Sequence, residues 1–479
     1  MKTEFVQGPP IAVDLDGTLI KTDLLLESFL LLVKKNPIYL LMVVLWLFRG
    51  KATLKSEIAS RIKLNAAALP YNATLLEWLN VQKQGGRSLW LVTASHDLLA
   101  KAVARHLGIF DGVMASDETV NLSGSRKADA LVKQFGEKGF DYCGNEDVDL
   151  AVWRRGRSAI VVNASKSTEA KARSAVEVGK VIPPEGRLFK AITKALRVHQ
   201  WAKNVLVFVP VAAAHKLANA PTLLDALLAF VVFSLCASSV YILNDLLDLE
   251  ADRQHHSKCS RPFAAGNLSV LTGLLAFPVL LVVAFALTAV ALNSKFLLVL
   301  AAYYVITLAY SFSLKRKVMI DVLTLAGLYT VRIVAGAAAT SIALSFWLLI
   351  FAIFIFLSLA MVKRYAELFA MKQRGKLTAQ GRGYQVEDLG LLQSMGAASG
   401  YISILVLALY LNSPDITVLY QHAKVAWTLV PIMLYWISRI WMQTYRGHMD
   451  DDPLVFAMKD RISLFTGMAA VAVLIAAAM

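Results

Sequence analysis

Asn244-Asp245-Leu246-Leu247-Asp248-Leu249-Glu250-Ala251-Asp252 follows directly on about twenty apolar residues, Leu223 to Leu243. At about 100° per residue, Asn244, Asp248, Asp252 and Asp245 fall at roughly 0°, 40°, 80° and 100°, so one helix face carries an amide and three carboxylates. Like charges at helical spacing repel, and carboxylates at a membrane boundary cost free energy unless a cation neutralises them. Magnesium suits such a face, because it binds through one or two carboxylates, keeps part of its water and takes substrate phosphates for the rest. The pattern predicts a helix leaving the membrane with a magnesium and diphosphate face. A solvated acidic turn between two membrane helices explains one aspartate easily and three in register poorly.

Around this segment the composition divides the 479 residues in two. Hydrophobic residues make up 57% of the chain and the mean hydropathy is +0.56, yet residues 1–185 are largely soluble in character. The expected organisation is a soluble head, 1–185, on an all-α polytopic membrane body, 186–479. Apolar runs that read as spanning helices lie near 204–219, 222–243, 271–291, 296–314, 319–339, 343–362, 390–411, 425–443 and 463–479, nine in all. Alternate connections between them hold sixteen Lys and Arg against three, which orients the head and the acidic segment toward the cytoplasm and the carboxyl terminus outside. The expected location is the inner (cytoplasmic) membrane. The net charge of +15 is then mostly cytoplasmic-face loops and phosphate ligands, and nucleic acid is not an expected partner. An aspartate-rich strand where a signal peptide would lie argues against a cleavable leader. Cys143, Cys236 and Cys259 have no metal spacing, as expected of a chain handled in a reducing compartment.

Further motifs flank the acidic one in order: Arg197-Val198-His199-Gln200-Trp201-Ala202-Lys203-Asn204, Lys258-Cys259-Ser260-Arg261-Pro262-Phe263-Ala264-Ala265-Gly266, Tyr310-Ser311-Phe312-Ser313-Leu314-Lys315, Lys363-Arg364-Tyr365-Ala366-Glu367-Leu368 and Asp451-Asp452-Pro453-Leu454-Val455-Phe456. With these, residues 190–479 resemble the UbiA superfamily of intramembrane prenyltransferases, and within it the phosphoribosyltransferase branch. The prenyl-diphosphate enzymes of that superfamily carry a second acidic motif, Asp-x-x-x-Asp; here Asp321 is followed four positions later by Leu325. The resemblance to the phosphoribosyltransferase branch implies 5-phosphoribosyl 1-diphosphate as donor and a polyprenyl phosphate, arriving from the bilayer, as acceptor.

Diphosphate leaving C1 of ribose passes through an oxocarbenium-like state, so the departing charge must be stabilised. Magnesium on Asp245, Asp248 and Asp252 would do this, with Lys203, Asn204, Asn244, Lys258, Arg261, Lys315, Asp321, Lys363 and Arg364 as candidate substrate and phosphate ligands. The acceptor phosphate is already a nucleophile at neutral pH, so no strong general base is needed. For the cations the plainer alternative is positive-inside topology, which needs charge but no particular residue. Arg332 lies inside an apolar run, where a lone guanidinium is costly, so a partner or a substrate phosphate must be near it.

At the amino terminus, Pro10 to Thr18 read as a buried strand ending in Asp14-x-Asp16-Gly17-Thr18. Two carboxylates at the carboxyl end of a strand suit an aspartyl nucleophile and a neighbouring acid/base sharing one magnesium. With the strand Leu89–Val92 ending in Thr93, Lys127 opening a helix, and a strand at Asp141–Cys143 ending in Gly144-Asn145-Glu146-Asp147-Val148-Asp149, the head resembles the haloacid dehalogenase superfamily of phosphatases. That resemblance implies a doubly wound α/β domain with a helical cap near 24–80, Asp14 as nucleophile, Asp16 as acid/base, Thr93 and Lys127 holding phosphate, and Asp14, Asp16 and Asp149 on magnesium. Asn145 departs from the family's Gly-Asp-x-x-x-Asp, which leaves open an active phosphatase or a degenerate docking domain, and Asp147 as a substitute. The apolar runs Leu24–Val33 and Ile38–Phe48 are too short to span, so they either cap the aspartate or dip into lipid. Residues 163–188 read as the end of the head and a linker.

Together these readings predict phosphoribosyl transfer to polyprenyl phosphate followed by removal of the 5-phosphate by the head. An aromatic prenyltransferase and a non-catalytic lipid-binding scaffold are the rival readings.

Overall fold

Ile11, Ala12 and Val13 are completely buried, as a strand must be when helices cover both faces of its sheet. In the computed structural model, which describes residues 8–118, 120–186, 188–373, 375, 382–413, 420–449 and 452–479, they form β1 (Ile11–Val13). The head continues through α1 (Leu24–Lys35), α2 (Tyr39–Phe48), α3 (Lys51–Ala59), α4 (Ala73–Gln84), β2 (Leu89–His96), α5 (Asp97–Leu107), β3 (Gly112–Ser116) and α6 (Ser125–Phe135). It ends with β4 (Asp141–Gly144), α7 (Leu150–Trp153), β5 (Ser158–Val162), α8 (Lys166–Ala175) and β6 (Val178–Ile182). The six strands are parallel in the order β3-β2-β1-β4-β5-β6, with Ile11 paired to Leu89 on one side and Asp141 on the other. This is the doubly wound α/β domain with a helical insert expected of the head. Its order reverses at β1, and the crevice outside the carboxyl ends of β1 and β4 is where such sheets bind ligands.

The stretch 163–188, expected to end the head and lead into a linker, does end the head, with α8 and β6 occupying it as far as Ile182. Ser165 caps α8 by accepting from Thr168 N, and β6 adds the edge strand. A solvated edge helix rich in Ser, Lys and Glu shares the composition of a linker, so the sequence does not mark where one gives way to the other.

The chain folds as two compact units, Met1–Arg197 with Tyr241–Pro278, and Val198–Val240 with Val279–Met479. The acidic segment thus packs with the head.

Among the described residues eight helices are long and apolar enough to cross a bilayer: Ala220–Leu247, Val270–Ala291, Ser294–Phe312, Ile320–Thr340, Phe346–Gln373, Val386–Leu411, Ala423–Tyr445 and Arg461–Ala478. The protein is a multi-pass membrane protein. Nine were expected; the run 204–219 does not form a span-length helix. It lies in a 3-10 helix, Val198–Phe208, and a short α-helix, Val209–Ala213, with Pro210 at the start of the latter. The 3-10 segment lies close against Ile320–Thr340, where a Cβ on Gly336 would meet Val207 O at 1.9 Å. Only glycine permits that approach, and it fixes the strip that carries Lys203 and Asn204.

Candidate functional sites

In the head, the carboxyl end of β1 delivers Asp14 and Asp16 into the crevice. Asp14 is held by Lys127, whose Nζ donates to its Oδ1 at 2.7 Å and to Tyr142 Oη at 2.8 Å. Tyr142 in turn donates to Asp149 Oδ1 at 2.9 Å, while the backbone amides of Asn145 and Glu146 donate to Asp149 Oδ2 at 2.9 and 3.0 Å. Both oxygens of Asp149 are therefore engaged in building the loop. Asp16 Oδ1 accepts from Leu24 N at 2.7 Å, and its Oδ2 accepts from Ser95 Oγ at 2.7 Å and Thr93 Oγ1 at 3.5 Å. Asn145 accepts from Thr18 Oγ1 at 3.1 Å. Its side chain also lies against Gly17, whose φ of +73° is the left-handed region that favours glycine. Asp147 is turned outward onto Thr168 and Lys171, away from the crevice, and does not take the place of Asn145.

Burial pushes Asp14 up to about 7, against the pull of Lys127 and with a further push from Asp149 and Asp16. Burial likewise raises Asp16 to about 6, Asp23 adding to the rise and the Leu24 amide opposing it. Burial works against charge on Lys127, but Asp14 and Asp149 outweigh it and hold the ammonium. The result is an ion pair, Asp14 with Lys127, beside a second carboxyl, with burial holding both carboxyls above the usual range; the placement of the two carboxyls at one strand end suits nucleophilic attack on phosphorus by one and acid assistance to the leaving oxygen by the other. Ser95 and Tyr142 were missed by the motifs. Ser95 was within reach, since it shares a face of β2 with Thr93 at a spacing of two.

In the acidic segment the helix is not continuous. Ala220–Leu247 stops before Asp248, which has φ −104° and ψ 14° and begins a second helix, Leu249–Gln254. The pitch survives the break, because Asp248 N donates to Asn244 O at 3.0 Å and Asp252 N to Asp248 O at 2.8 Å. Asp245 and Asp252 are accordingly brought together: Arg261 Nη1 donates to Asp245 Oδ1 at 3.1 Å and Asp252 Oδ2 at 2.6 Å. Arg197 adds a second ion pair to Asp245. Asp248 is half-buried and accepts from Lys34 at 3.0 Å, and Asn244 is half-buried beside it. Burial raises the Asp252 carboxyl against the opposing pull of Arg261. Lys258 stands exposed on the following loop.

The remaining candidates lie in the second unit. Lys203 pairs with Asp452, and Lys363 lies 3.7 Å from the same carboxylate; together they hold it below the usual range despite its burial. Asp451 lies outside the described residues. Asn204 donates to Ser234 Oγ at 2.9 Å and accepts from Arg332 Nε at 2.8 Å. The partner demanded by Arg332 is therefore an amide, supplemented by the rings of Phe233, Tyr303 and Tyr329 at 5.3 to 5.6 Å. Asp321 is fully buried and accepts from Tyr310 Oη at 2.9 Å and Arg364 Nη2 at 3.0 Å, while Arg364 also donates to Glu367 at 2.7 Å. Arg364 and Asp321 thus satisfy each other. Lys315 is half-buried on the loop after Ser294–Phe312.

Among the described residues no group of three or more His, Cys, Asp or Glu side chains gathers at metal-ligand spacing. The candidate donors are all carboxylate oxygens, from two carboxylates at the head's crevice and three along the acidic segment, the latter three held here by Arg197, Arg261 and Lys34. Such a set fits magnesium, which needs one or two carboxylates and completes its shell with water and phosphate, and does not suit zinc.

The UbiA prenyltransferase family profile matches residues 205–465. The uncharacterized protein y4nM of Sinorhizobium fredii is 39% identical over 462 residues, covering 96% of this chain and 89% of that protein. The decaprenyl-phosphate phosphoribosyltransferase of Corynebacterium glutamicum is 35% identical over 262 residues, 53% of this chain and 79% of that protein. Among solved structures, a UbiA homolog from Archaeoglobus fulgidus bound to GPP and Mg2+ is 18% identical, covering 59% of this chain and 99% of that one, with a TM-score of 0.43.

Proposed function

This chain belongs to the UbiA prenyltransferase family, and we propose that its membrane body transfers 5-phosphoribosyl from 5-phosphoribosyl 1-diphosphate to a polyprenyl phosphate. The observation that carries this choice of reaction is the fate of Asp321. As the lone carboxylate of a second acidic motif, it is consumed by Arg364 and Tyr310, so a donor diphosphate clamped between two acidic faces lacks its second face. Similarity to decaprenyl-phosphate phosphoribosyltransferases supports the same branch.

In this reading the acceptor phosphate oxygen forms a bond to C1 of ribose as the C1–oxygen bond to diphosphate breaks. Magnesium held by Asp245, Asp248 and Asp252 would neutralise the departing diphosphate. Arg261 and Arg197 hold Asp245 and Asp252 in place, and Lys258 offers an exposed ammonium to phosphate. Lys203 and Lys363 gather at Asp452, two ammonium groups of the kind that bind phosphate. Because the acceptor is already ionised, positioning replaces proton abstraction.

The head then removes the 5-phosphate. Asp14 attacks phosphorus, Asp16 gives a proton to the leaving 5-oxygen, and water afterwards frees inorganic phosphate from Asp14. Lys127 orients Asp14 and offers charge to the phosphoryl oxygens. A regulatory or docking head is the second reading, favoured by Asn145 at the first acidic position and by the full engagement of Asp149.

Purified protein supplied with labelled donor, polyprenyl phosphate and magnesium tests both parts. The expected lipid is polyprenylphosphoryl ribose, and Asp14→Asn is expected to yield its 5-phosphorylated form. Aromatic prenylation in place of sugar transfer would reject the reading of the membrane body.

A further inference from the structure

Helix α1 touches a candidate catalytic carboxylate at each end. At its start Leu24 N donates to Asp16 at 2.7 Å, and near its end Lys34 Nζ donates to Asp248 at 3.0 Å. Leu24 and Lys34 are separated by about 15 Å along the axis, at roughly 1.5 Å per residue. Between them Glu27 pairs with Arg253 through two nitrogens, Nη1 reaching Oε2 at 2.8 Å, and both side chains are more than nine-tenths buried. Arg253 Nε also donates to Ala264 O at 2.9 Å, which ties in the loop that carries Lys258 and Arg261. Asn65 donates to Glu250 at 3.1 Å. Gly266 lies so close to Lys21 that a Cβ there would stand 2.4 Å from Lys21 Cβ. A cavity of about 250 Å³, lined by Leu30, Leu69, Leu246 and Leu249 and rimmed by Lys34 and Arg253, lies between α1 and the acidic segment.

A linker needs none of this. Exposed pairs such as Lys34 with Asp248 contribute little, whereas a buried bidentate pair fixes geometry at the expense of desolvating two charges. We propose that the head is docked on the acidic segment through Glu27 and Arg253 so that the lipid-linked sugar phosphate passes from transfer to dephosphorylation without release into the bilayer. The proposal rests on the two-step reading above. Docking a head active on that phosphate about one short helix from its origin replaces two-dimensional search with a high local concentration.

The test uses the full chain in proteoliposomes at low protein density, with both lipid products followed over time. Wild type is expected to form dephosphorylated lipid without a lag. Glu27→Arg and Arg253→Glu, each alone, are expected to accumulate the 5-phosphorylated lipid on the order of tenfold over wild type. Total transfer and hydrolysis of a small soluble phosphate ester serve as the folding controls and stay near wild type. The double exchange, Glu27→Arg with Arg253→Glu, is expected to recover the wild-type ratio. Single variants with intact controls and an unchanged lipid ratio would overturn the hand-over while leaving the two-step reading standing. Wild type that transfers but never dephosphorylates would remove the two-step reading and the hand-over with it.

A separate observation concerns α2. Leu41 is 73% exposed and Phe48 86%, with Ile38, Leu45 and Leu47 also exposed, and the helix is flanked by Lys34, Lys35, Arg49 and Lys51. Ten residues extend about 15 Å, half of a hydrocarbon core. Apolar surface bounded by cations on a membrane protein points to one partner, and we infer that α2 lies in the interface of an anionic bilayer. A spin label at Leu41→Cys in a Cys259→Ser background, in anionic nanodiscs, is expected to collide more with oxygen than with a water-soluble nickel complex. The reverse accessibility would reject the lipid contact.

Discussion

Arg364 and Asp321 form a fully buried ion pair inside the membrane body, Nη2 to Oδ1 at 3.0 Å, although 43 residues separate them. Removing one partner strands the other charge. Asp321→Ala is therefore expected to destabilise the protein by about 3–5 kcal/mol, the usual cost of breaking a buried pair. Thermal unfolding in detergent measures it. A wild-type melting temperature in Asp321→Ala would show that Asp321 is free for substrate after all.

Asp245→Asn removes one of three carboxylates from the acidic segment and loosens Arg261. Loss of such an electrostatic contact costs on the order of 10²–10³ in rate, so transfer should fall by that amount while phosphatase activity of the head on a soluble ester is unchanged. Initial rates of both reactions in one preparation decide the matter. Equal loss in both would mean that the variant disturbs folding.

Lys127→Met should abolish phosphatase activity without touching transfer, because Lys127 bonds Asp14 directly. The measurement is the ratio of 5-phosphorylated to dephosphorylated lipid. Retained dephosphorylation would move the head's site elsewhere.

The head should also become less stable as pH rises. Asp14 at about 7 and Asp16 at about 6 lie above their unfolded value near 3.8, so the folded state holds protons that the unfolded state has lost. Their contribution is complete below that unfolded value and disappears as pH climbs through about 6 to 7. Magnesium, binding the ionised carboxylates, should raise the melting temperature more at pH 7.5 than at pH 5. A magnesium effect independent of pH would contradict this, and Asp14→Asn should flatten both trends.

The parts legible in the sequence are those governed by local period. Asp245 and Asp252 meet at Arg261 because helical pitch survives, and Asp14 and Asp16 stand at a strand end because an unbroken apolar run must be buried. What stayed hidden depends on distant partners. Nothing around Arg364 announces Asp321, nothing around Asp149 announces that Tyr142 and two amides take up both its oxygens, and nothing around Glu27 announces Arg253. The break at Asp248 and the 3-10 course of Val198–Phe208 likewise reflect packing rather than propensity.

Phosphoribosyl transfer to a lipid phosphate on the membrane body is the step on which the proposed function turns. It is tested most directly by supplying purified protein, magnesium and 5-phosphoribosyl 1-diphosphate labelled in the ribose, once with polyprenyl phosphate and once with polyprenyl diphosphate and 4-hydroxybenzoate. Mass spectrometry of the extracted lipids then identifies the product. A polyprenylphosphoryl pentose carrying the ribose label is expected in the first mixture and no appreciable aromatic product in the second; efficient prenylation of the aromatic acid, with no label entering lipid, would overturn the proposed transfer.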